Sequence, residues 1–487
     1  SRFFYKFDPK EVDKKGSSDT KLSTFRKKKV GVIGGGIAGH GCAYTLSGSP
    51  GFEVHLFEDR EDFGGNAKTF QWPDGILTGL SVLAWPPAYF RNYRALLKRL
   101  NVPWVPVKLP FCIKGPGGGY FAHGLKLGLS DKFNEDIQRW KRLVALVRKV
   151  NVFFAGTDVV SLYHMSYFNP MNVISLRSFS KYIFGISDDF WEQIVVPLYA
   201  SSFLTIRLDE IPAFIVPVLD DLIPLEHEPE MQSWKNASSD VFDSMAKQFT
   251  RHGGEAIVSC RRDSETQLWN LYGASGSVYE DFDNIVFASN AHHAAKAIEG
   301  SSKLEQMILG GVEYTNEHDD SFEVGIIHSD PSILPTEYRG LLSESYANYI
   351  EARTEGSQLK FENTFILSSW YNTAKNHPSA AIRDIPRFVT YGSPNPDKIK
   401  NKVGEVANYK NHPHLHLSGL VLAMCARFIQ GNRGVYYCGS YATPANGHDL
   451  SFCSGIAVAV QIGAKYPFPE DKEAEMDFKR LTRIMGL

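Results

Sequence analysis

The chain has 487 residues, a net charge of −2, 43% hydrophobic and 22% charged residues. That length exceeds one ordinary core and points to two domains. The near-neutral balance excludes the strongly basic surface of a nucleic-acid binder and the polarity of a disordered chain. No uncharged apolar run reaches the roughly 18–20 residues that cross a bilayer; Leu450–Ala464 comes closest and still contains Ser, Gln and Gly. Six cysteines (Cys42, Cys112, Cys260, Cys425, Cys438, Cys453) show no CxxC pairing. This argues against a zinc ribbon or disulfide framework and fits an intracellular, reducing compartment. With Ser rather than Met at position 1, the expectation is the cytosol, or the mitochondrial matrix after loss of a targeting segment.

Residues 1–28 read as a polar extension, with Arg26-Lys27-Lys28-Lys29 a solvated lead-in to the first strand. Val30–Ile33 is a short apolar strand that runs into Gly34-x-Gly36-x-x-Gly39 and then a helix of small and apolar residues. The spacing suits a dinucleotide. Gly34 permits the tight turn, Gly36 lets a pyrophosphate approach the backbone, and Gly39 lets the helix pack on the sheet. The N–H groups at Ile37 and Ala38 then face the phosphates. A second strand, Glu53–Phe57, ends on Glu58, 24 residues after Gly34, where a ribose-binding carboxylate belongs. Asp59 follows, and then Gly64-Gly65-Asn66, whose glycine pair lets backbone run close to a long cofactor and suits FAD better than NAD.

A helix is expected around Tyr89–Leu100, and Pro116-Gly117-Gly118-Gly119 marks a hairpin or loop. Ser130–Gly253 is mainly helical by period, with one stripe at Ile137, Trp140, Leu143, Val144, Leu146 and Val147 and another over Phe190–Leu198. Three prolines predict short, broken helices over Ile211–Leu225. Strand character returns at Ile257–Ser259, Leu268–Leu271, Asn284–Ala288, Phe322–Ser329 and Phe361–Tyr371. Near the carboxyl end, Gly434–Cys438 is a strand leaving through Gly439-Ser440-Tyr441, followed by Gly447-His448-Asp449 and a helix from about Ser454 to Ile462. That junction can aim a helix dipole at a flavin's pyrimidine end.

Together these stretches resemble the flavin-containing amine oxidase and phytoene desaturase superfamily. The closest branch is the predicted FAD-binding oxidoreductases associated with cyclopropane-fatty-acid synthases. The likeness rests on Val32–Gly39, Leu56-Phe57-Glu58 with Gly64-Gly65, Val324–Asp330 with Leu334-Pro335, Phe388-Val389-Thr390, His412-Pro413, and Ile429-Gln430-Gly431 running into Tyr437–Tyr441. It implies an α/β fold: a Rossmann-type FAD-binding domain in discontinuous segments (29–115, 232–300, 421–466), interleaved with a mixed α/β substrate domain (116–231, 301–420). Residues 467–487 form a helical tail. By the same resemblance Gly34, Gly36, Gly39, Glu58, Gly64, Gly65, Gly439, Ser454 and Gly455 touch FAD. With Ile37, Ala38, Asp59, Asn66 and Ser440 they form the expected cofactor set. The chain departs from the family at Leu77, where relatives place Asp before Thr-Gly, and at Trp234–Ser239, where they carry a glycine pair.

The activity implied is hydride transfer to flavin (desaturase, oxidase or double-bond isomerase) from an apolar, unsaturated fatty-acyl-like substrate. The 32 Phe, 22 Tyr and 8 Trp residues could line a channel for it. The alternatives are an amine oxidase, or a catalytically altered flavoprotein serving as an assembly subunit, with partners engaged through 1–28 or 467–487. Candidate acid–base residues are His448 and Asp449, near the flavin edge, and His328, paired in sequence with Asp330. Tyr441 is a candidate wall of the pocket. His412-Pro413-His414-Leu415-His416 lacks a carboxylate or thiolate set nearby and reads as a surface loop, so no metal is expected. His292-His293 reads as a strand end. No GxxxxGK[ST], GxSxG or HExxH pattern occurs, which removes NTPase and hydrolase readings.

Overall fold

The computed structural model describes residues 26–123, 128–156, 163, 165–317, 321–336, 347–356, 358–370, 376–392, 397–407 and 412–487. The extension 1–25, and with it most of the partner expectation for 1–28, lies outside the described residues.

The apolar run after the basic lead-in forms β1 (Lys28–Ile33), followed by α1 (Ile37–Ser47), β2 (Phe52–Phe57) and α2 (Arg91–Leu100). Later segments supply α3 (Asn134–Ala155), β3 (Thr250–His252), β4 (Asn284–Phe287), β5 (Val435–Tyr437), α4 (His448–Ile462) and α5 (Lys472–Met485). A five-stranded parallel sheet runs in the order β5-β4-β1-β2-β3. Both faces of β1 are covered from Val30 on, where its sequence is apolar. Val30 and Val32 pack with Ala38, Cys42 and Val458 of α1 and α4. On the other face, a side chain at Gly31 would lie 2.8 Å from Leu271, in an antiparallel sheet of Ile257–Arg262, Trp269–Gly273 and Val278–Phe282.

A seven-stranded sheet builds the second lobe, in the order Lys402–Ala407, Val324–His328, Phe388–Gly392, Gln358–Ile366, Asn348–Glu355, Phe111–Lys114, Tyr120–Ala122. Its pairs are antiparallel except Asn348–Glu355 with Phe111–Lys114. Phe111–Lys114, assigned by sequence to the first cofactor segment, therefore pairs in the other sheet, and residues 115–119 make the expected hairpin turn. The helical part centres on α3, which buries Ile137, Trp140, Leu143, Val144 and Val147.

Several local expectations change. Leu146 is exposed, not part of the buried stripe. The strand begun near Phe361 stops at Ile366, and Leu367–Trp370 turns helical. His292 and His293 lie in a short helix, Ala291–Ala297, not at a strand end. The helix expected from about Ser454 begins at His448, six residues earlier, with Gly447 as its N-cap. The tail forms α5, whose Phe478, Leu481, Ile484 and Met485 are buried. It is held by ion pairing of Arg91 to Asp477 at 3.2 Å and by Asn92 donating to Ala474 O at 3.0 Å. The tail expected to engage partners thus packs its apolar side chains within the chain, apart from the exposed Met476.

Candidate functional site

The carboxyl ends of β2, β1, β4 and β5 bring the candidate residues into one row: Glu58, Gly34, Ala288 and Gly439. Gly34 N–H donates to Phe57 O at 2.8 Å, Ala288 N–H to Ile33 O at 2.8 Å, and Cys438 N–H to Phe287 O at 2.9 Å. At the ordinary strand spacing this row extends about 15 Å. Ligands of open α/β sheets bind at such carboxyl edges. The turn needs glycine at its corner: Gly34 has φ +116°, and a side chain there would meet the Ala288 carbonyl carbon at 2.7 Å.

The α1 N-terminus is built to receive an anion. Its N-cap is Gly36, no side chain caps it, and its first turn holds no acid. The N–H groups of Ile37, Ala38 and Gly39 and the positive dipole end are thus left for a ligand. A Cβ on Gly36 would find only Gly65 Cα within 4 Å, at 3.9 Å, so the cradle is open where a phosphate would approach. Gly64 closes the far wall by donating its N–H to Gly35 O at 2.9 Å. Glu58 stands at the rim and accepts the Gly35 N–H at 2.6 Å. Burial, with Asp59 beside it, raises the Glu58 carboxyl above the usual range. Asp59 itself is exposed, and Asn66 is half-buried with its carbonyl accepting from Ser81. These residues fit a dinucleotide.

At the other end of the row, Gly439 donates its N–H to Ser454 Oγ at 2.9 Å, and Ser440 begins a short turn to Ala442. Ser454 and Gly455 lie inside α4, not at its start. A Cβ on Gly455 would sit 2.0 Å from Ala38 O, so this glycine lets α4 press on α1; Gly41 does the same for Phe452. Ser454 acts by holding the Gly439 backbone. Both shape the crevice through packing. The true helix start, Gly447-His448-Asp449, has no side-chain cap. Tyr441 is buried and donates to Phe287 O at 3.2 Å, a packing role beneath the crevice floor.

His448 packs edge-on against Tyr93, with ring centroids 4.7 Å apart, and against Trp234 at 6.4 Å. Its Nε2 is buried without a hydrogen-bond partner among the described residues, and burial lowers the imidazole pKa to about 3, so it is neutral. Trp234 donates to the Tyr93 hydroxyl at 2.9 Å, and Trp85 packs on Trp234 at 5.0 Å. Asp449 turns into the core, accepting the Tyr93 N–H at 2.5 Å and the Tyr163 hydroxyl. Burial pushes its carboxyl up to about 7, against those two hydrogen bonds. The pair is adjacent in sequence but faces different surroundings.

His328 is not in this site. It ends a strand of the seven-stranded sheet, fully buried, with Nε2 2.9 Å from Thr390 Oγ1 and Nδ1 accepting the Asp330 N–H at 3.2 Å. Asp330 accepts the N–H groups of Ser332 at 2.9 Å and Lys400 at 2.7 Å. Burial lowers the His328 pKa to about 4. Both ring nitrogens are used, one by the neighbouring strand and one by the turn that follows, which makes the imidazole a structural latch. The His412–His416 run is not a surface loop either: Pro413, His414 and Leu415 are buried, and His414 Nε2 lies 2.7 Å from Glu210. Among the described residues no cluster of three or more His, Cys, Asp or Glu is placed to hold a metal.

One residue at the cradle escaped the sequence reading. His40, fully buried in α1, points Nδ1 at Gly36 O (3.2 Å) and sits among Phe63, Phe242 and Phe249, whose ring centroids lie 5.8, 4.9 and 5.7 Å away. Burial lowers its pKa to about 3, so as a neutral donor it steadies the Gly36 peptide. A histidine one position after the third glycine, in a helix otherwise of small and apolar residues, was the available signal. The two family departures also meet: Leu77, Asn236 and Asp240 line one cavity with His377.

Residues 32–100 match the family described as an NAD(P)-binding Rossmann-like domain. No curated protein matches the chain. Among solved structures, a CLA-producing fatty acid isomerase from P. acnes aligns with TM-score 0.61 at 11% identity, over 90% of this chain and 99% of its own. A cofactor-binding redesign of putrescine oxidase aligns with TM-score 0.62 at 11% identity, over 90% and 98%. Reduced UDP-galactopyranose mutase aligns with TM-score 0.58 at 10% identity, over 93% and 99%. At such identities the likeness is one of fold: a Rossmann-like domain joined to an amine-oxidase-like second domain.

Proposed function

We propose that the chain is an FAD-dependent oxidoreductase acting on an apolar, unsaturated fatty-acyl-like substrate. The observation that carries this reading is the glycine-walled row at the carboxyl edge of the parallel sheet, with the uncapped start of α1 facing it. Ile37, Ala38 and Gly39 N–H groups would hold the pyrophosphate, Glu58 the adenosine ribose, and the Gly439 junction with the α4 start the flavin end. FAD, when bound, accepts a hydride from a substrate C–H bond and can return it. The uncapped start of α4 favours negative charge placed before it. Tyr93, Trp85 and Trp234 wall off water behind His448, which as a neutral imidazole donates or accepts one hydrogen bond without carrying charge.

The fatty-acyl substrate follows from the family resemblance and is supported by the isomerase fold likeness. A second reading, a flavoprotein that serves an assembly without turnover, is favoured by one observation: His328 and Asp449 are both committed to protein partners. The six free thiols favour a reducing compartment, the cytosol or mitochondrial matrix. No helix of the described residues is long and apolar enough to cross a membrane.

The test is anaerobic mixing of the flavin-loaded protein with polyunsaturated fatty acids and, separately, alkylamines, with absorbance and product analysis together. Bleaching or a shifted double bond with the fatty acids is expected. Bleaching by amines alone would replace the substrate class, and bound FAD inert to both would favour the assembly role.

A further inference from the structure

We propose that the solvent face of α3 docks this protein onto an anionic phospholipid surface. Arg142, Leu146, Lys149 and Phe153 follow one another at spacings of four, three and four, which at about 100° per residue places them in one stripe roughly 60° wide. All four are exposed, Leu146 by 40% and Phe153 by 79%. The opposite face is the one that buries Trp140, Leu143, Val144 and Val147. Tyr182 and Ile183, 77% and 65% exposed, stand near the amino-terminal end of the stripe, because Arg139 of α3 donates to Gly185 O at 2.7 Å. A water-facing helix stripe is ordinarily polar throughout. Here large apolar side chains alternate with cations.

Charge selects the partner. After Glu135 and Asp136 in its first turn, α3 carries five basic residues and no acid. Arg139, Lys141 and Arg148 pair with Glu135, Glu226 and Asp221. No ion pair among the described residues engages Arg142 or Lys149. In a chain of net charge −2, two cations without an ion pair among the described residues, interleaved with exposed Leu and Phe, are a local feature. Apolar side chains that enter the acyl boundary, with Lys and Arg reaching headgroup phosphates, are the signature of peripheral lipid binding. With no spanning helix among the described residues, attachment is to one leaflet. The inference stands apart from the substrate proposed above, although an acyl substrate would be drawn from the same surface.

Flotation of the purified full chain with phosphatidylcholine–phosphatidylserine vesicles, and with pure phosphatidylcholine, tests it. Binding to the anionic vesicles is expected, weakening as salt is raised. The Leu146→Ser/Phe153→Ser and Arg142→Glu/Lys149→Glu variants should each bind about tenfold more weakly, with unchanged melting. Failure of the wild-type chain to float, or full binding by both variants, overturns the proposal. So does a dimer, seen by light scattering, that Phe153→Ser dissociates, since a second copy would then cover the face. Flavin absorbance read on the same samples separates failure of docking from failure of the flavoprotein reading.

Discussion

The ends of the two sheets treat polar groups in opposite ways. At the end of Val324–His328 in the seven-stranded sheet, His328, Thr390 and Asp330 satisfy one another, and Asp330 also accepts backbone N–H groups of Ser332 and Lys400. At the carboxyl edge of the parallel sheet, glycines hold the backbone in place and leave the α1 and α4 starts without side-chain caps. A constellation of His and Asp is therefore a weak pointer to chemistry when its atoms already serve each other. Backbone donors left open in a crevice are the stronger one.

The sharpest way to break this contrast is at the helix interlock. Gly455→Ala places a methyl group 2.0 Å from Ala38 O and 2.9 Å from Cys42 N. Forcing α4 off α1 should cost about 3 kcal/mol or more, read by denaturant unfolding. Unaltered stability would mean that the crevice wall yields. Next, His328→Leu should cost about 1–3 kcal/mol by leaving the Asp330 N–H unpaired and Thr390 with Thr364 alone, while flavin content per folded molecule stays constant. Preserved stability with lost turnover would instead move His328 into the active site.

A further effect is a pH slope at Asp449. Its carboxyl titrates at about 7 in the folded chain and near 4 when unfolded, so the folded state binds the proton more tightly. That stability is fully present below about pH 4 and is lost as pH rises through about 7. Measured by thermal unfolding, the wild-type chain should gain on Asp449→Asn as pH falls from about 8 to about 4. Parallel curves would remove the buried carboxyl from the account.

Much of the cradle was legible because its rules are local. A strand, a Gly34-x-Gly36-x-x-Gly39 turn and Glu58 lie within one βαβ unit, where spacing and backbone geometry suffice. The start of α4 was not, because Gly447-His448-Asp449 carries the composition of a loop, while Ser454-Gly455 looks like a helix opening. Only the Ala38 backbone, more than 400 positions away, shows why residue 455 is glycine. Sequence separation likewise hid His414, buried against Glu210, and His328, whose partner Thr390 lies 62 residues on. Side chains satisfied by remote segments leave no periodic trace.

The most direct measurement is the flavin content of the purified wild-type chain and of Gly36→Val, by absorption and identification of the released cofactor. At residue 36 the backbone is extended (φ −77°, ψ −175°), and a Cβ there would contact only Gly65 Cα, so the valine chain should fold. Flavin bands and released FAD are expected from the wild-type chain, with affinity at least about a hundredfold weaker in Gly36→Val, roughly 2.7 kcal/mol. A colourless wild-type chain that takes up no added FAD, or a Gly36→Val chain that keeps its full complement, would contradict a dinucleotide at this edge.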